Sequence, residues 1–314
     1  MNRSIYLSII LLLSLCTNAS AQTNFWNSPD AYLGQTPPLE TPKIFAPCML
    51  ADSGIVLGRV AFSKDGREFY YGFAKHWFDF SGIGVKQIIF DGKKWNKPKI
   101  LIENLATPTL SIDETKLFFG GQNSDVWQSE KVDNVWSTPK LFLDKNYGLY
   151  NFMPTKSGVY YVGSNANAGS KKDYSTYDFC TLTISKTDTL IKSLGSPLNT
   201  PAFDGDLYVA PDESYMIISA KETKIYDCEL WISFRNSDKT WTIPISLGDK
   251  INTGLAHRFG QYVSPDGRYL FYTKGTSEKD CNFYWVRFDS LLKRLRPKSV
   301  KAAIANPVKS LRTE

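Results

Sequence analysis

The chain has 314 residues, 42% of them hydrophobic, 14% aromatic and 22% charged, with a formal net charge of +6. That balance excludes a disordered chain, and the length suits one large domain. The charge is uneven: seven basic residues stand against Glu314 from Lys293 onward. The body before them is close to neutral, which argues against a nucleic-acid partner.

Arg3 precedes an apolar run over 5–16, and Ala19-Ser20-Ala21 follows as a small-x-small cleavage pattern. The run is shorter than the about 20 residues that a membrane span needs. The pattern predicts a signal peptide over 1–21, a mature chain from Gln22, and export to the periplasm, cell envelope or medium. A lipoprotein anchored through Cys16 is the alternative, but Leu15 rather than a small residue precedes that cysteine. No later segment has the length of a transmembrane helix. Residues 22–40 read as a lead-in and 293–314 as a basic tail, solvated or in peripheral contact with an acidic surface. Cys48, Cys180, Cys228 and Cys281 permit two disulfides in three pairings, or buried thiols. Their spacing is too wide for a local zinc knuckle.

The body repeats. Ser63-Lys64-Asp65-Gly66 sits between an apolar strand and the aromatic run Phe69-Tyr70-Tyr71, and Ser264-Pro265-Asp266-Gly267 sits likewise before Tyr269-Leu270-Phe271. Weaker copies surround Asp113, Asp212 and Lys156. The Ser-Pro-Asp-Gly form suits a type I turn: serine opens it, proline fixes φ at the second position, the serine and aspartate oxygens accept backbone N–H groups, and glycine accepts positive φ. Glu114-Thr115 and Glu213-Ser214 lack the glycine, so strain or a different turn is expected there. The copies recur about every 43 to 56 residues, the period of a four-stranded propeller blade. A third strand follows at Asp125-Val126-Trp127, Asp178-Phe179-Cys180, Glu229-Leu230-Trp231 and Phe283-Tyr284-Trp285. A fourth begins at Trp95, Trp136 and Trp241, each followed by proline; the third copy offers only Ser196-Pro197-Leu198.

The last copy has no such fourth strand, and Thr41-Pro42-Lys43-Ile44-Phe45-Ala46-Pro47 can supply it. The expected fold is all-β: a single β-propeller over 41–292 with about five four-stranded blades, closed by the N-terminal strand. Six blades is the alternative, if 171–185 hides a degenerate one. A short helix is expected within 290–305, interrupted at Pro297.

Ser264-Pro265-Asp266-Gly267-Arg268-Tyr269-Leu270-Phe271 resembles the Pro-Asp subtype of WD-repeat-like propellers, as in TolB-like periplasmic proteins. The resemblance covers about 40–290. It implies a cell-envelope or secreted binding module, often for protein partners, without the additional α/β domain of TolB. Propellers host many activities, so function must come from the site.

No catalytic set stands out. Sialidase boxes need a different Asp–Gly spacing and an arginine cluster. A prolyl-oligopeptidase would need a Gly-x-Ser-x-Gly elbow, which is absent from the sequence. Mouth carboxylates for glycan hydrolysis or lysis are Asp204, Asp206, Asp79 and Glu222; Asp204-x-Asp206 is short for a calcium loop. His76, Trp77, His257 and Arg258 fall in loops that can reach a central channel. Tyr70, Tyr71, Trp77, Phe78 and Phe80 form one aromatic cluster and Tyr174 with Tyr177 another, mostly for core packing. The leading expectation is a non-catalytic exported propeller that binds a protein or glycan of the cell envelope, with no cofactor or metal. A carbohydrate-active hydrolase or lyase and a structural assembly scaffold are the alternatives.

Overall fold

The computed structural model describes residues 24–50, 54–77, 82–169, 171–186, 188–201, 204–223, 225–277 and 280–297. The signal-peptide and Cys16 expectations, Asp79, Phe78, Phe80 and most of the basic tail lie outside them. Five antiparallel sheets follow one another around a ring. Blade 1 runs Ile55–Phe62, Glu68–Ala74, Gly84–Ile89, Lys99–Glu103 from the axis outward. Blade 2 runs Ala106–Leu110, Lys116–Gly120, Val126–Val132, Lys140–Leu143, with Val135–Trp136 pairing beside its third strand. Blade 3 is Tyr150–Pro154, Tyr160–Ser164, Asp178–Ile184, Thr189–Ser193. Blade 4 is Leu207–Val209, Tyr215–Ala220, Glu229–Phe234, Ile245–Ser246. Blade 5 is His257–Val263, Tyr269–Ser277, Asp280–Arg287, and its outer strand is Lys43–Ile44 from the start of the chain.

That last pairing sets Lys43 against Trp285 and Ile44 against Tyr284. Phe45 follows directly and fills the seam between blades 5 and 1. Its ring centroid lies 5.0 Å from Trp285 and Phe271 and 5.5 Å from Phe69. The lead-in covers the same seam from the turn side: Trp26 Nε1 donates to the Lys64 carbonyl at 2.8 Å, and Tyr32 Oη to Asp266 Oδ2 at 2.5 Å. Closure pairs strand edges that would otherwise be open to other chains.

The hairpin turns share one geometry. In the first, Ser63 Oγ donates to Asp65 Oδ1 at 2.6 Å, and Gly66 N donates to the Ser63 carbonyl at 2.9 Å. Ser264, Asp266 and Gly267 repeat these bonds at 2.6 and 2.7 Å, and Ser111 with Asp113 does so at 2.6 Å. The glycine position has φ +78° at Gly66 and +74° at Gly267. Glu114 and Glu213 adopt the same left-handed conformation, both at +60°. The turn is therefore kept without glycine, at a local cost of about 1–2 kcal/mol. Each glutamate offsets that cost by bonding to the preceding blade. Glu114 Oε1 accepts from Lys64 N at 2.5 Å. Glu213 accepts from Tyr161 Oη at 2.8 Å, from Thr155 Oγ1 at 3.2 Å and from Ser157 Oγ, and pairs with Arg235 Nη1 at 2.9 Å.

One expectation, the fourth strand of blade 3, needs correction, and the open alternatives for blade number and cysteine state are decided. Residues 178–184 are the third strand of blade 3, so the ring has five blades and no degenerate sixth over 171–185. The fourth strand of that blade is Thr189–Ser193, upstream of Ser196-Pro197-Leu198; alternating residues 190 and 191 give it one exposed and one partly buried side, and no tryptophan is needed. Cys48, Cys180, Cys228 and Cys281 are all free thiols. The last three are buried within blades whose strands hold them apart, and each sulfur contacts a backbone carbonyl instead. The C-terminal helix spans Asp289–Leu295 and stops before Pro297.

Candidate functional site

The first strand of each blade begins at one end of the ring, and antiparallel order brings the loop between the second and third strands to that same end. The Ser-x-Asp turns lie at the opposite end. Four inner strands carry a bulge near their start, between Val56 and Val60, Ala106 and Thr109, Tyr150 and Met153, and Phe259 and Tyr262. Gly58, Thr107, Asn151 and Gly260 sit there with φ between +49° and +79°. Bulges re-aim a strand locally, and these open the inner strands into a bowl. Gly260 is required: a Cβ there would stand 2.0 Å from the Gly58 carbonyl oxygen.

The bowl is a cavity of about 750 Å³. Its wall is largely apolar and aromatic: Leu57, Phe73, Ile83, Tyr174, Tyr226 and Phe259 face it. Its polar lining includes Tyr150, Asn151, Asp206, Glu222 and His257. Beneath them Arg59 closes the axis. It is 1% exposed, and its guanidinium donates to Leu207 O at 2.7 Å, Thr109 Oγ1 at 3.1 Å and Asn151 Oδ1 at 3.3 Å. Blade 1 thereby touches the inner strands of blades 2, 3 and 4. Burial pushes the Arg59 pKa down to about 10, and the charge of Asp206 opposes that fall. Asn151 relays between them: its Nδ2 donates to Asp206 Oδ1 at 2.7 Å. Tyr150 Oη donates to the same oxygen at 3.2 Å.

Burial raises the pKa of Asp206, with His257 and Asn151 acting in the opposite direction. Glu222 is pushed up to about 8, first by burial and then by the charges of Asp206 and Asp204. Its Oε2 is buried without a hydrogen-bond partner. Burial lowers the His257 pKa, and Nδ1 lies 2.6 Å from the Tyr226 carbonyl and 3.7 Å from Cys228 Sγ. Glu222, Cys228 and His257 place one donor atom each within 4.8 Å of one another. A carboxylate, a thiol and an imidazole so placed have the donor chemistry of a metal centre.

Of the residues singled out from sequence, Asp206, Glu222, His257 and Tyr174 meet at the mouth. Asp204 does not line it; the carboxylate accepts from Thr200 N at 2.5 Å, and burial followed by the charge of Asp178 pushes its pKa up to about 7. Arg258 is a buried clamp, bonded to the carbonyls of Ile251, Cys228, Ala256, Thr253 and Gly254. His76 is exposed and lies off the cavity wall, and Trp77 packs beside Gly275 of blade 5. Tyr70 and Tyr71 are core residues; Tyr70 Oη accepts from Trp136 Nε1 at 2.8 Å. Tyr177 is buried and donates to Ser124 Oγ at 2.9 Å. Arg59, Tyr150, Asn151 and Cys228 were not read from sequence as site residues. An arginine inside the otherwise apolar strand Ile55–Phe62 is the one signal that pointed there, since a charge seldom enters a core unpaired.

No family model matches the chain, and no curated protein matches it. Among solved structures it is similar in fold to TolB from Acinetobacter baumannii, at 11% identity and a TM-score of 0.41, over 74% of this chain and 54% of that one. It is also similar to an oligogalacturonate lyase from Vibrio parahaemolyticus, at 10% identity and 0.40, over 81% of this chain and 71% of that one. A puromycin hydrolase aligns at 12% identity and 0.40, over 68% of this chain and 32% of its own length. The chain thus spans about half of the TolB and a third of the hydrolase. These likenesses concern the fold alone: the protein is a five-bladed β-propeller.

Proposed function

We infer that this protein is an exported, non-catalytic propeller that binds a glycan of the cell envelope at its mouth, one or two neutral sugar units entering the bowl. The single observation that carries the reading is the concave cavity of about 750 Å³, lined by aromatic and aliphatic side chains with polar groups among them. That volume lies in the range of small-ligand sites, whereas a protein partner would meet a flatter surface. Tyr174, Tyr226 and Phe259 offer faces for sugar rings. Asp206 and Glu222, with carboxyl pKa values raised by burial, hydrogen-bond hydroxyls without demanding a cationic ligand. Export is supported by the charged, apolar and small-x-small order of residues 1–21.

The test is calorimetric titration of chain 22–314 with neutral and acidic envelope oligosaccharides. Saturable binding that Tyr174→Ala weakens at least tenfold is the expected result. A folded protein that binds none of them overturns the reading. A second reading, glycan hydrolysis or lysis, is favoured by one observation: Glu222, with its raised pKa, shares the cavity with Asp206 and His257. Oligosaccharide cleavage abolished by Glu222→Gln would establish it instead.

A further inference from the structure

We propose that Glu222, Cys228 and His257 form a mononuclear site for a divalent cation of the zinc class, open on its fourth side to the mouth cavity. Glu222 follows the second strand of blade 4, Cys228 directly precedes its third strand, and His257 is the first residue of the inner strand of blade 5. The two segments meet only because the blades are neighbours, Cys228 N donating to the Ala256 carbonyl at 3.0 Å.

Four features support the assignment. The three donor atoms lie within 4.8 Å of one another. The edges of a tetrahedral zinc site with sulfur, nitrogen and oxygen ligands are about 3.3–3.7 Å, so the three donor atoms need to draw together by about an ångström. Glu222 Oε2 is buried with no hydrogen-bond partner, an orphaned acceptor that a cation would satisfy. The ligands also carry the outer contacts that metal sites use. The Tyr226 carbonyl, 2.6 Å from His257 Nδ1, fixes the ring. The Arg258 backbone N–H donates to Cys228 Sγ at 3.1 Å, and the S–H that now donates to the Arg258 carbonyl would be given up when the sulfur binds metal. Finally, Glu222 and His257 line the cavity while Cys228 lies behind them, so the side left to an exchangeable ligand faces the bowl. Sulfur and imidazole together select zinc-class ions over magnesium or calcium.

The site shares the cavity with the proposed glycan but does not depend on it, and metal content is read without any sugar. The experiment uses chain 22–314 carrying Cys48→Ser, which removes the one exposed thiol. Zn²⁺ is titrated by calorimetry, and Co²⁺ substitution is followed by its sulfur-to-metal charge-transfer and ligand-field absorption. One equivalent is expected, with a four-coordinate cobalt spectrum. Cys228→Ser, His257→Gln and Glu222→Gln should each weaken Zn²⁺ at least tenfold, and His76→Ala should leave it unchanged. Glu222 is only half-buried, so Glu222→Gln is expected to keep the fold where changes to the buried pair do not. Less than one equivalent bound, no sulfur-to-cobalt band, or unaltered affinity in Glu222→Gln overturns the proposal.

Discussion

Arg59 donates from Nη2 to the carbonyl of Leu207 at 2.7 Å, joining the inner strand of blade 1 to that of blade 4 across the axis. Truncating one partner of a buried, hydrogen-bonded charge leaves the others unsatisfied. Arg59→Ala would strand Leu207 O and Asn151 and leave Asp206 without its counter-charge. The expected loss is about 3 kcal/mol or more, a fall in Tm of roughly 6–12 °C. Arg59→Met, which keeps most of the volume, should lose less. Thermal unfolding followed by circular dichroism decides; equal melting points for Ala and wild type would refute the axial-clamp role.

Glu213 and Glu114 occupy the same left-handed turn position but differ in what they hold. Glycine relieves the backbone at either site by about 1 kcal/mol. Glu213→Gly also removes acceptors for Tyr161, Thr155, Ser157 and Arg235, so a net loss of roughly 1–3 kcal/mol is expected. Glu114→Gly removes a single backbone contact, from Lys64 N, and should change stability by less than about 1 kcal/mol. Denaturant midpoints of the two variants, compared side by side, give the ranking; the reverse order would contradict it.

Phe45 is 1% exposed and sits directly beyond the closing strand. Phe45→Ala should cost about 3–5 kcal/mol. Hydrogen exchange should localise the damage to Lys43–Ile44 and to Asp280–Arg287, the two strands it seals. Loss of protection spread evenly over blades 2 to 4 would argue against a seam-specific role.

Asp204 links stability to pH. Burial first and Asp178 second push its pKa to about 7 from an ordinary 3.8. The folded state therefore holds the proton more tightly than the unfolded chain. That contribution is complete below pH about 4 and is lost as pH rises through 7. The shift corresponds to roughly 2–4 kcal/mol. Asp204→Asn keeps an acceptor for Thr200 N and removes the titration, so its Tm relative to wild type should climb between pH 5 and pH 8. A constant difference across that range would show that Asp204 does not titrate as argued.

The bowl was only partly legible in the sequence. Asp206, Glu222 and His257 were candidates because acids and histidines in loops are conspicuous. Asn151 and Tyr150 looked like ordinary strand residues, and Cys228 looked like a core thiol or half of a disulfide. Arg258 was misleading for the opposite reason: a charged loop-side residue proved to spend its guanidinium on five carbonyls within its own loop and blade 4.

What the amino-acid sequence determined by itself is what short-range chemistry decides. Ser63-x-Asp65-Gly66 and its copies specify their turns through bonds two to five residues long, and their period specifies blades. Even the expectation that Lys43–Ile44 completes blade 5 came from counting strands. The tertiary structure alone decided which residues surround the axis. Gly58, Thr107, Asn151, Asp206 and Gly260 lie about 50 residues apart in the chain and become neighbours only when the ring closes. The bulges at Gly58, Thr107, Asn151 and Gly260, the buried position of Arg59 and the meeting of Glu222 with His257 all depend on packing between blades, for which no local pattern in the sequence codes.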